Sequence, residues 1–154
     1  MRVALICVGR LGRTAEAALA ADYAKRATVA GRGLGVSPVE IIEVEPRKSG
    51  KAAEAEAILA KAAGARLIAC DEHGAAMSSR DFARRLAALR DRGVREVAFA
   101  VGGADGLDAA VLDAAAERLA FGPQTWPHAL ARVMLAEQVY RAVTILAGGP
   151  YHRD

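Results

Sequence analysis

The chain has 154 residues and a mass of 16.1 kDa, which is the usual size of a single domain. Hydrophobic residues make up 53% of it and charged residues 25%, which excludes a disordered chain and allows a core without disulfide or metal cross-links. The net charge of +3 favours an anionic partner only weakly. No apolar run reaches about 18 residues and the first residues carry no cleavage signature, so we expect a cytoplasmic protein with no membrane partner.

Strands and helices are predicted to alternate along the whole chain. Short aliphatic runs, rich in β-branched residues, predict strands at residues 3–8, 39–44, 66–70, 94–101 and 119–121. Alanine-rich stretches predict helices at about residues 14–26, 52–63, 79–92, 107–118 and 128–146, and a threonine, serine or proline marks the start of the first, third and last of them. Loops are predicted between them, including residues 31–38, 71–79, 102–106 and 122–127. This order predicts an α/β protein, a single domain with a mostly parallel sheet and helices on both faces.

Ligands of an open parallel sheet bind beyond the carboxyl ends of its strands. The glycine-rich turn Gly102–Gly106 follows a predicted strand, and its glycines allow the backbone to approach a ligand closely. Its spacing matches neither a dinucleotide fingerprint nor a P-loop. Asp105 and Asp108 would repel phosphate, which favours a nucleoside ligand that carries a cation. In the alternative reading, Asp108 only caps a helix and Asp105 is a turn residue.

A second glycine turn, Gly9–Gly12, follows the first predicted strand, and Glu43 and Glu45 end the next one. This is an incomplete version of the Rossmann dinucleotide pattern, because one glycine is missing and the acid lies far along the chain. An ordinary strand-to-helix turn explains it more simply. A Rossmann-like nucleotide-binding protein remains an alternative function at this stage.

Cysteine and histidine chemistry is weakly indicated. Cys7 and Cys70 lie inside predicted strands, where small buried residues are expected. Cys70 and His73 would supply only two metal ligands, so we expect no metal. A cysteine hydrolase would need an orienting third group that the sequence does not supply.

The end of the chain concentrates polar side chains. His128 and Arg132 are one helical turn apart at the start of the last predicted helix, where they form either a functional pair or a helix start with a surface cation. Tyr151, His152 and Arg153 can stack on a base and contact phosphate. Equally, Tyr151 can pin the terminus to the core.

Together, these segments resemble a known family. The sequence resembles the ribosomal RNA large subunit methyltransferase H family of bacteria, which belongs to the SPOUT class of S-adenosylmethionine (AdoMet)-dependent enzymes. The similarity covers essentially the whole chain. The motifs that carry it are Asp71 with Gly74, residues 77–83, residues 99–106, residues 125–132 continuing to 135–142, and residues 150–153.

The resemblance implies a fold, a reaction and partners. It implies a C-terminal trefoil knot, which is an exception to the rule against threaded chains. It implies a homodimer that uses AdoMet to methylate N3 of a pseudouridine in a hairpin loop of 23S rRNA. Because the chain has little basic surface, we expect an assembled ribosome or large subunit as substrate. A non-enzymatic RNA-binding module is the remaining alternative.

The resemblance also implies site residues. The AdoMet pocket would comprise Cys70, Gly102, Phe121, Gly122, Pro123, Gln124, Thr125 and Trp126. Arg132 is predicted to stabilise the anionic target base, and His128 or His152 to accept its proton. Tyr151 and Arg153 are predicted to reach the partner subunit's site. Candidates for phosphate contact are Lys25, Arg26, Lys48 and Lys51.

Overall fold

The computed structural model describes residues 1–152 and contains one five-stranded sheet flanked by helices. Its strands are β1 (Arg2–Val8), β2 (Val39–Val44), β3 (Arg66–Ala76), β4 (Glu96–Val101) and β5 (Glu117–Ala120). Its helices are α1 (Ala15–Gly31), α2 (Lys51–Lys61), α3 (Ser79–Asp91), α4 (Ala109–Ala114) and α5 (His128–Leu146), and a 3₁₀ turn spans Arg32–Leu34. All strand pairs are parallel, in the order β2-β1-β4-β3-β5. The predicted α/β class is confirmed.

Helices cover both faces of the sheet, and successive residues of a strand point to opposite faces. Val3, Leu5 and Cys7 of β1 pack in a core with α1, α3 and α5, whereas Ala4 and Ile6 pack in a second core with α2 and α4. Full burial of a Leu or Ile side chain contributes roughly 1.5–3 kcal/mol. The continuous apolar run of β1 therefore matches its place near the centre of the sheet.

Two predicted boundaries in the first half of the chain are wrong. Helix α1 runs to Gly31 rather than Arg26, because Ala27 is still buried in the core shared with α5. Strand β3 runs to Ala76 rather than ending at Cys70, so most of the loop predicted at 71–79 is strand. The second part of β3 pairs with β5 after an irregularity between Cys70 and Ala75. The sequence did not predict this pairing, because the second part of β3 contains exposed polar residues and not an apolar run.

The predicted helix at 107–118 is also too long. Helix α4 covers only Ala109–Ala114, and β5 begins at Glu117. Local alanine content favours helix here, but the free edge of β3 pairs with residues 117–120. By contrast, α3 begins after Ser78 and α5 spans His128–Leu146, as predicted.

Over the described range 1–152, we find no helix with the length and apolar character needed to cross a bilayer.

Candidate active site

A cavity of about 300 Å³ opens at the carboxyl ends of β3, β4 and β5. Such a volume lies at the lower end of the roughly 300–1,000 Å³ typical of small-molecule sites. Seven of the eight residues predicted to bind the cofactor line it: Cys70, Gly102, Phe121, Gly122, Gln124, Thr125 and Trp126. Pro123, the eighth, is not among the lining residues. The structure therefore brings together three segments that are far apart in sequence.

The glycine-rich turn after β4 forms one wall of this cavity. A side chain at Gly102 would place its Cβ 2.7 Å from the backbone carbon of Gly106, so only glycine fits there. Gly106 N–H donates to the Gly103 carbonyl at 3.1 Å and closes the turn. Asp105 lines the cavity, whereas Asp108 caps α4 by accepting from Ala110 N–H at 2.9 Å. The capping alternative for Asp108 is confirmed.

The segment between β5 and α5 forms the opposite wall. Trp126 Nε1 donates to the Phe121 carbonyl at 3.2 Å, which folds the segment back on itself. Thr125 Oγ1 donates to Glu72 Oε2 at 2.6 Å and ties the segment to β3. Gly122 has a φ of +96°, a left-handed conformation that side chains disfavour. One bond within the segment and one to β3 therefore hold this wall in shape.

The first turn of α5 presents His128 to the cavity, but Arg132 lies elsewhere. The Arg132 side chain is 2% exposed and reaches the carboxyl end of β1. Its Nη1 donates to Glu43 Oε1 at 2.6 Å, and its Nη2 donates to the carbonyls of Val8 at 3.2 Å and Gly9 at 2.8 Å. The alternative of a surface cation is wrong, because the guanidinium is buried. Direct contact between Arg132 and a substrate stays a prediction.

Glu43 is a structural partner that sequence reasoning did not connect to Arg132. Besides binding Arg132, Glu43 Oε1 accepts from Leu11 N–H at 3.1 Å. Burial by itself would raise the pKa of Glu43, but these bonds outweigh it and hold the pKa below its ordinary value. Glu43 is thus committed to closing the Gly9–Gly12 turn. This engagement argues against the dinucleotide site considered for that turn, which needs a free acid for the ribose.

The two thiols are unsuited to nucleophilic chemistry. Burial raises the pKa of Cys7 to about 12 and also raises the pKa of Cys70. Both are therefore neutral thiols at physiological pH. His73 is exposed and pairs with Asp71 at 3.3 Å. Within residues 1–152, no three His, Cys, Asp or Glu side chains are placed to hold a metal ion together.

Tyr151 packs on α5 of its own chain. Its hydroxyl donates to Glu137 Oε1 at 3.1 Å, and its ring centroid lies 4.7 Å from that of Tyr140. The Arg141 guanidinium lies 4.8 Å from the Tyr151 ring centroid. Burial is the largest cause that raises the pKa of Tyr151. These contacts agree with the alternative in which Tyr151 pins the terminus.

The tail is separated from the cavity within one chain. Glu137, which binds Tyr151, lies about 13 Å along α5 from His128 at 1.5 Å per residue. His152 Nδ1 lies 3.4 Å from Arg141 Nη1, on the same part of α5. Arg153 lies outside the described residues. Tyr151 and His152 therefore lie away from the cavity of their own chain.

Several lining residues were not predicted as ligands. Outside the turn Gly102–Gly106, they are Asp71, Glu72, Val101, Leu107, Leu119 and Ala131. Asp71 and Glu72 directly follow the buried part of β3, so their position after an apolar run was an available signal. Three carboxylates, Asp71, Glu72 and Asp105, make the lining acidic.

Comparison with known proteins identifies the class to which this fold and cavity belong. A family model described as "Predicted SPOUT methyltransferase" matches residues 1–152. The chain therefore belongs to the SPOUT methyltransferase family. Its motifs resemble one group within this family, and similar proteins carry the name of that group.

Relatives match the chain over its full length. It is 65% identical to the ribosomal RNA large subunit methyltransferase H of Caulobacter sp. (strain K31), with 100% of both chains covered. It is 62% identical to the protein of the same name from Phenylobacterium zucineum (strain HLK1), again over 100% of both chains. The family resemblance found in the sequence motifs is confirmed.

Solved structures support the fold. A probable methylase family protein from Haemophilus influenzae Rd KW20 has a TM-score of 0.55 at 14% identity, covering 99% of this chain and 70% of that one. A probable methyltransferase from Bordetella pertussis Tohama I has a TM-score of 0.50 at 18% identity, covering 92% of this chain and 95% of that one. At these identities, the two likenesses concern the fold alone.

Proposed function

We propose that this protein transfers the methyl group of AdoMet to N3 of a pseudouridine in a hairpin loop of 23S rRNA. The observation that carries the proposal is the cavity at the carboxyl ends of β3, β4 and β5, walled by backbone and bordered by His128. Relatives that match the chain over its full length are named ribosomal RNA large subunit methyltransferase H, which supports the substrate class. A large ribosomal subunit or an assembled ribosome is the proposed substrate, in the cytoplasm.

The residues of the cavity fit AdoMet. Gly102 lets the turn close tightly at the wall of the cavity, and Gln124 and Thr125 add side-chain polar groups. The carboxylates of Asp71, Glu72 and Asp105 suit a ligand that carries positive charge. When bound, AdoMet supplies a methyl group on a positively charged sulfur, which makes the methyl carbon electrophilic.

The protein has to orient the target base and remove its N3 proton. His128 stands at the cavity and is our candidate for the base that accepts this proton. Arg132 is held one turn later by Glu43 and by two carbonyls of the β1 end, so we propose that it acts mainly by positioning the first turn of α5. Alignment of donor and acceptor can supply several kcal/mol of the rate enhancement.

The proposal includes a homodimer and a trefoil knot. A groove of about 410 Å³ along α1, α3 and α5 is lined by apolar side chains, including Leu19, Met77 and Met134. Trp126 and Leu130 are also about 40% exposed, and exposed apolar surface of this kind supports self-association. For the knot, the supporting observation is that the chain leaves β5 at the sheet edge and returns through α5 to pack on α1, β1 and α3.

The test measures AdoMet binding and methyl transfer separately. Calorimetry gives the AdoMet dissociation constant, and labelled AdoMet with large ribosomal subunits from a strain lacking this enzyme gives methyl incorporation, located by nucleoside mass spectrometry. We expect His128→Ala to lower turnover by about 100-fold or more with little change in AdoMet affinity. His73→Ala is the matched control, because His73 is exposed and lies outside the lining of the cavity.

Three results would overturn the proposal. Absence of AdoMet binding at saturating concentration would remove the donor site. Tight binding to subunits without methyl incorporation would indicate a non-enzymatic RNA-binding module. Preferential binding of a nicotinamide dinucleotide would restore the Rossmann-like alternative.

A further inference from the structure

The net positive charge of this protein is concentrated in two loops. Residues 9–14 follow β1, and residues 45–51 follow β2 and lead into α2; we call them together the two-loop cationic surface. Their charged residues are Arg10, Arg13, Glu45, Arg47, Lys48 and Lys51, which is five cations against one acid. The remaining 141 residues carry sixteen cations and seventeen acids. The excess charge of +3 on the chain therefore comes entirely from this surface.

The fold places both loops at one edge of the sheet. β1 and β2 are parallel neighbours with Val8 opposite Val44, so the loops that follow them leave side by side. The Arg10 Nε to Glu45 Oε2 distance of 3.1 Å joins the two loops directly. Two loops that are about 35 residues apart in sequence thus form one surface.

This surface borders the proposed active site. A Cβ built on Gly103 of the cavity wall would lie 3.2 Å from Val8 Cγ1 and 3.3 Å from the Glu54 carboxylate. Val8 ends β1, and Glu54 lies in the first turn of α2, three residues after Lys51. The end of β1 and the start of α2, from which the two loops extend, therefore lie beside the wall of the cavity.

Most of these cations are available to an outside partner. Arg13, Arg47, Lys48 and Lys51 are exposed, and none forms an ion pair with any residue in the range 1–152. Arg26, another predicted phosphate contact, differs from them because it is engaged by a side chain of its own chain. Its guanidinium lies 4.2 Å from the Tyr140 ring centroid and donates a hydrogen bond to the Tyr140 hydroxyl.

We propose that the two-loop cationic surface binds the phosphates of the RNA strand that flanks the target nucleotide. The inference rests on the proposed function and adds the route by which the RNA backbone approaches the cavity. Exposed lysines and arginines bind a phosphate backbone mainly by releasing its counterions, so this binding is strongly dependent on salt. Neighbouring phosphate contacts orient the strand, whereas selection of the base requires contacts to the base itself.

The test compares two variants that each lose three cations, one variant at each end of the sheet. The first variant is Arg47→Gln with Lys48→Gln and Lys51→Gln. The matched control is Lys61→Gln with Arg92→Gln and Arg95→Gln. These three residues are also exposed and form no ion pair with any residue up to 152. They lie at the opposite end of the sheet, where α2 and α3 end and β4 begins. Both variants lose the same charge. Binding to the large ribosomal subunits described above is measured across a series of salt concentrations.

We expect the loop variant to bind subunits 10- to 100-fold more weakly near 0.1 M salt, with a salt slope shallower by about 2, as expected when about three phosphate contacts are lost. AdoMet affinity, measured by calorimetry, should stay unchanged and shows that the variant is folded. An equal loss in the control, or an unchanged slope in the loop variant, would overturn the proposal. Methyl transfer is scored apart from binding, so an inactive wild-type protein would refute the proposed function and leave the binding comparison valid.

Discussion

Arg132 carries a buried positive charge that pairs with the Glu43 carboxylate. Its spacing from His128 placed it on the first turns of α5, which the structure confirms. Its burial and its bond to Glu43 depend on a partner 89 residues away. A buried cation without its counter-charge is strongly destabilising, because neither water nor carboxylate then compensates it. At the scale of single residues, the proposed role of the Glu43–Arg132 pair is therefore to position the first turn of α5, which carries His128.

Glu43→Gln keeps the size of the side chain and removes its charge. We expect a loss of about 1–3 kcal/mol in the free energy of unfolding at pH 7, because Arg132 keeps a buried charge without its counter-ion. We also expect slower methyl transfer with AdoMet affinity nearly unchanged, since the cavity walls lie elsewhere. Urea unfolding and initial rates measure the two effects.

Glu40→Gln is the matched control for that substitution. Glu40 lies on the same strand and pairs with Arg2, but both side chains are about half exposed. Such surface pairs contribute about 0–1 kcal/mol. Equal effects of the two substitutions on stability and turnover would contradict the positioning role of Glu43.

At the scale of elements, Glu117 explains why the alanine-rich segment before it does not continue as helix. Glu117 opens β5 and binds Arg66 of β3, with its Oε1 3.0 Å from Nη2, and Arg85 of α3, whose Nε donates to Oε2 at 2.7 Å. These bonds join three elements at the sheet edge. Backbone pairing of β5 with β3 then overrides the local helix preference of the alanines.

The same cluster predicts a dependence of stability on pH. The bond to Arg85, with that to Arg66, lowers the pKa of Glu117 below its ordinary value of 4.5 despite partial burial. The ion pairs therefore stabilise the fold fully above that value, and their contribution is lost as the pH falls through the lower folded pKa. We expect Glu117→Gln to be less stable at pH 7 and to lose less stability between pH 5 and pH 3.

Urea unfolding midpoints from pH 3 to pH 7 test this expectation. Glu56→Gln is the control, because Glu56 is exposed on α2 and forms no ion pair within residues 1–152. A pH profile of Glu117→Gln that runs parallel to the wild-type profile would show that Glu117 does not contribute to acid sensitivity.

At the scale of the whole molecule, the position of the tail bears on the proposed dimer. Tyr151 is held near the middle of α5 by Glu137 and Tyr140, away from the cavity of its own chain. In the proposed dimer, Tyr151 and His152 would serve the cavity of the partner subunit. We therefore predict that deletion of residues 151–154 lowers methyl transfer at least 10-fold, because the partner's site loses the tail's polar groups.

Mixing two inactive variants tests whether the tail acts across the dimer. The tail deletion keeps His128, and His128→Ala keeps the tail, so a mixed dimer contains one complete site. Random exchange of subunits would then restore about a quarter of wild-type activity, as expected for a two-fold symmetric dimer. Full activity of the deletion variant alone would exclude a catalytic tail. Failure of the mixture to recover activity would exclude action across the interface.

The sequence by itself determined the features that depend on nearby residues. The strand and helix alternation, the start of α3 after Ser78, the span of α5 and the close turn at Gly102 all follow from apolar periodicity, caps and glycine within a few positions. Seven predicted pocket residues also line the cavity, as the family resemblance implied. The elements and the turn require no knowledge of which strands are neighbours, whereas the cavity forms only where β3, β4 and β5 lie side by side.

Only the tertiary structure decided the contacts that depend on strand order. The second half of β3 is strand because β5 lies beside it. Arg132 is buried because α5 brings it to the ends of β1 and β2, where it binds Glu43 and the Gly9 carbonyl. The cations of two loops distant in sequence lie at one edge of the sheet because β1 and β2 are neighbours. Local propensity cannot encode these outcomes, because each joins groups tens of residues apart. Their free energy is gained only when the sheet has assembled and water has left the space between its elements.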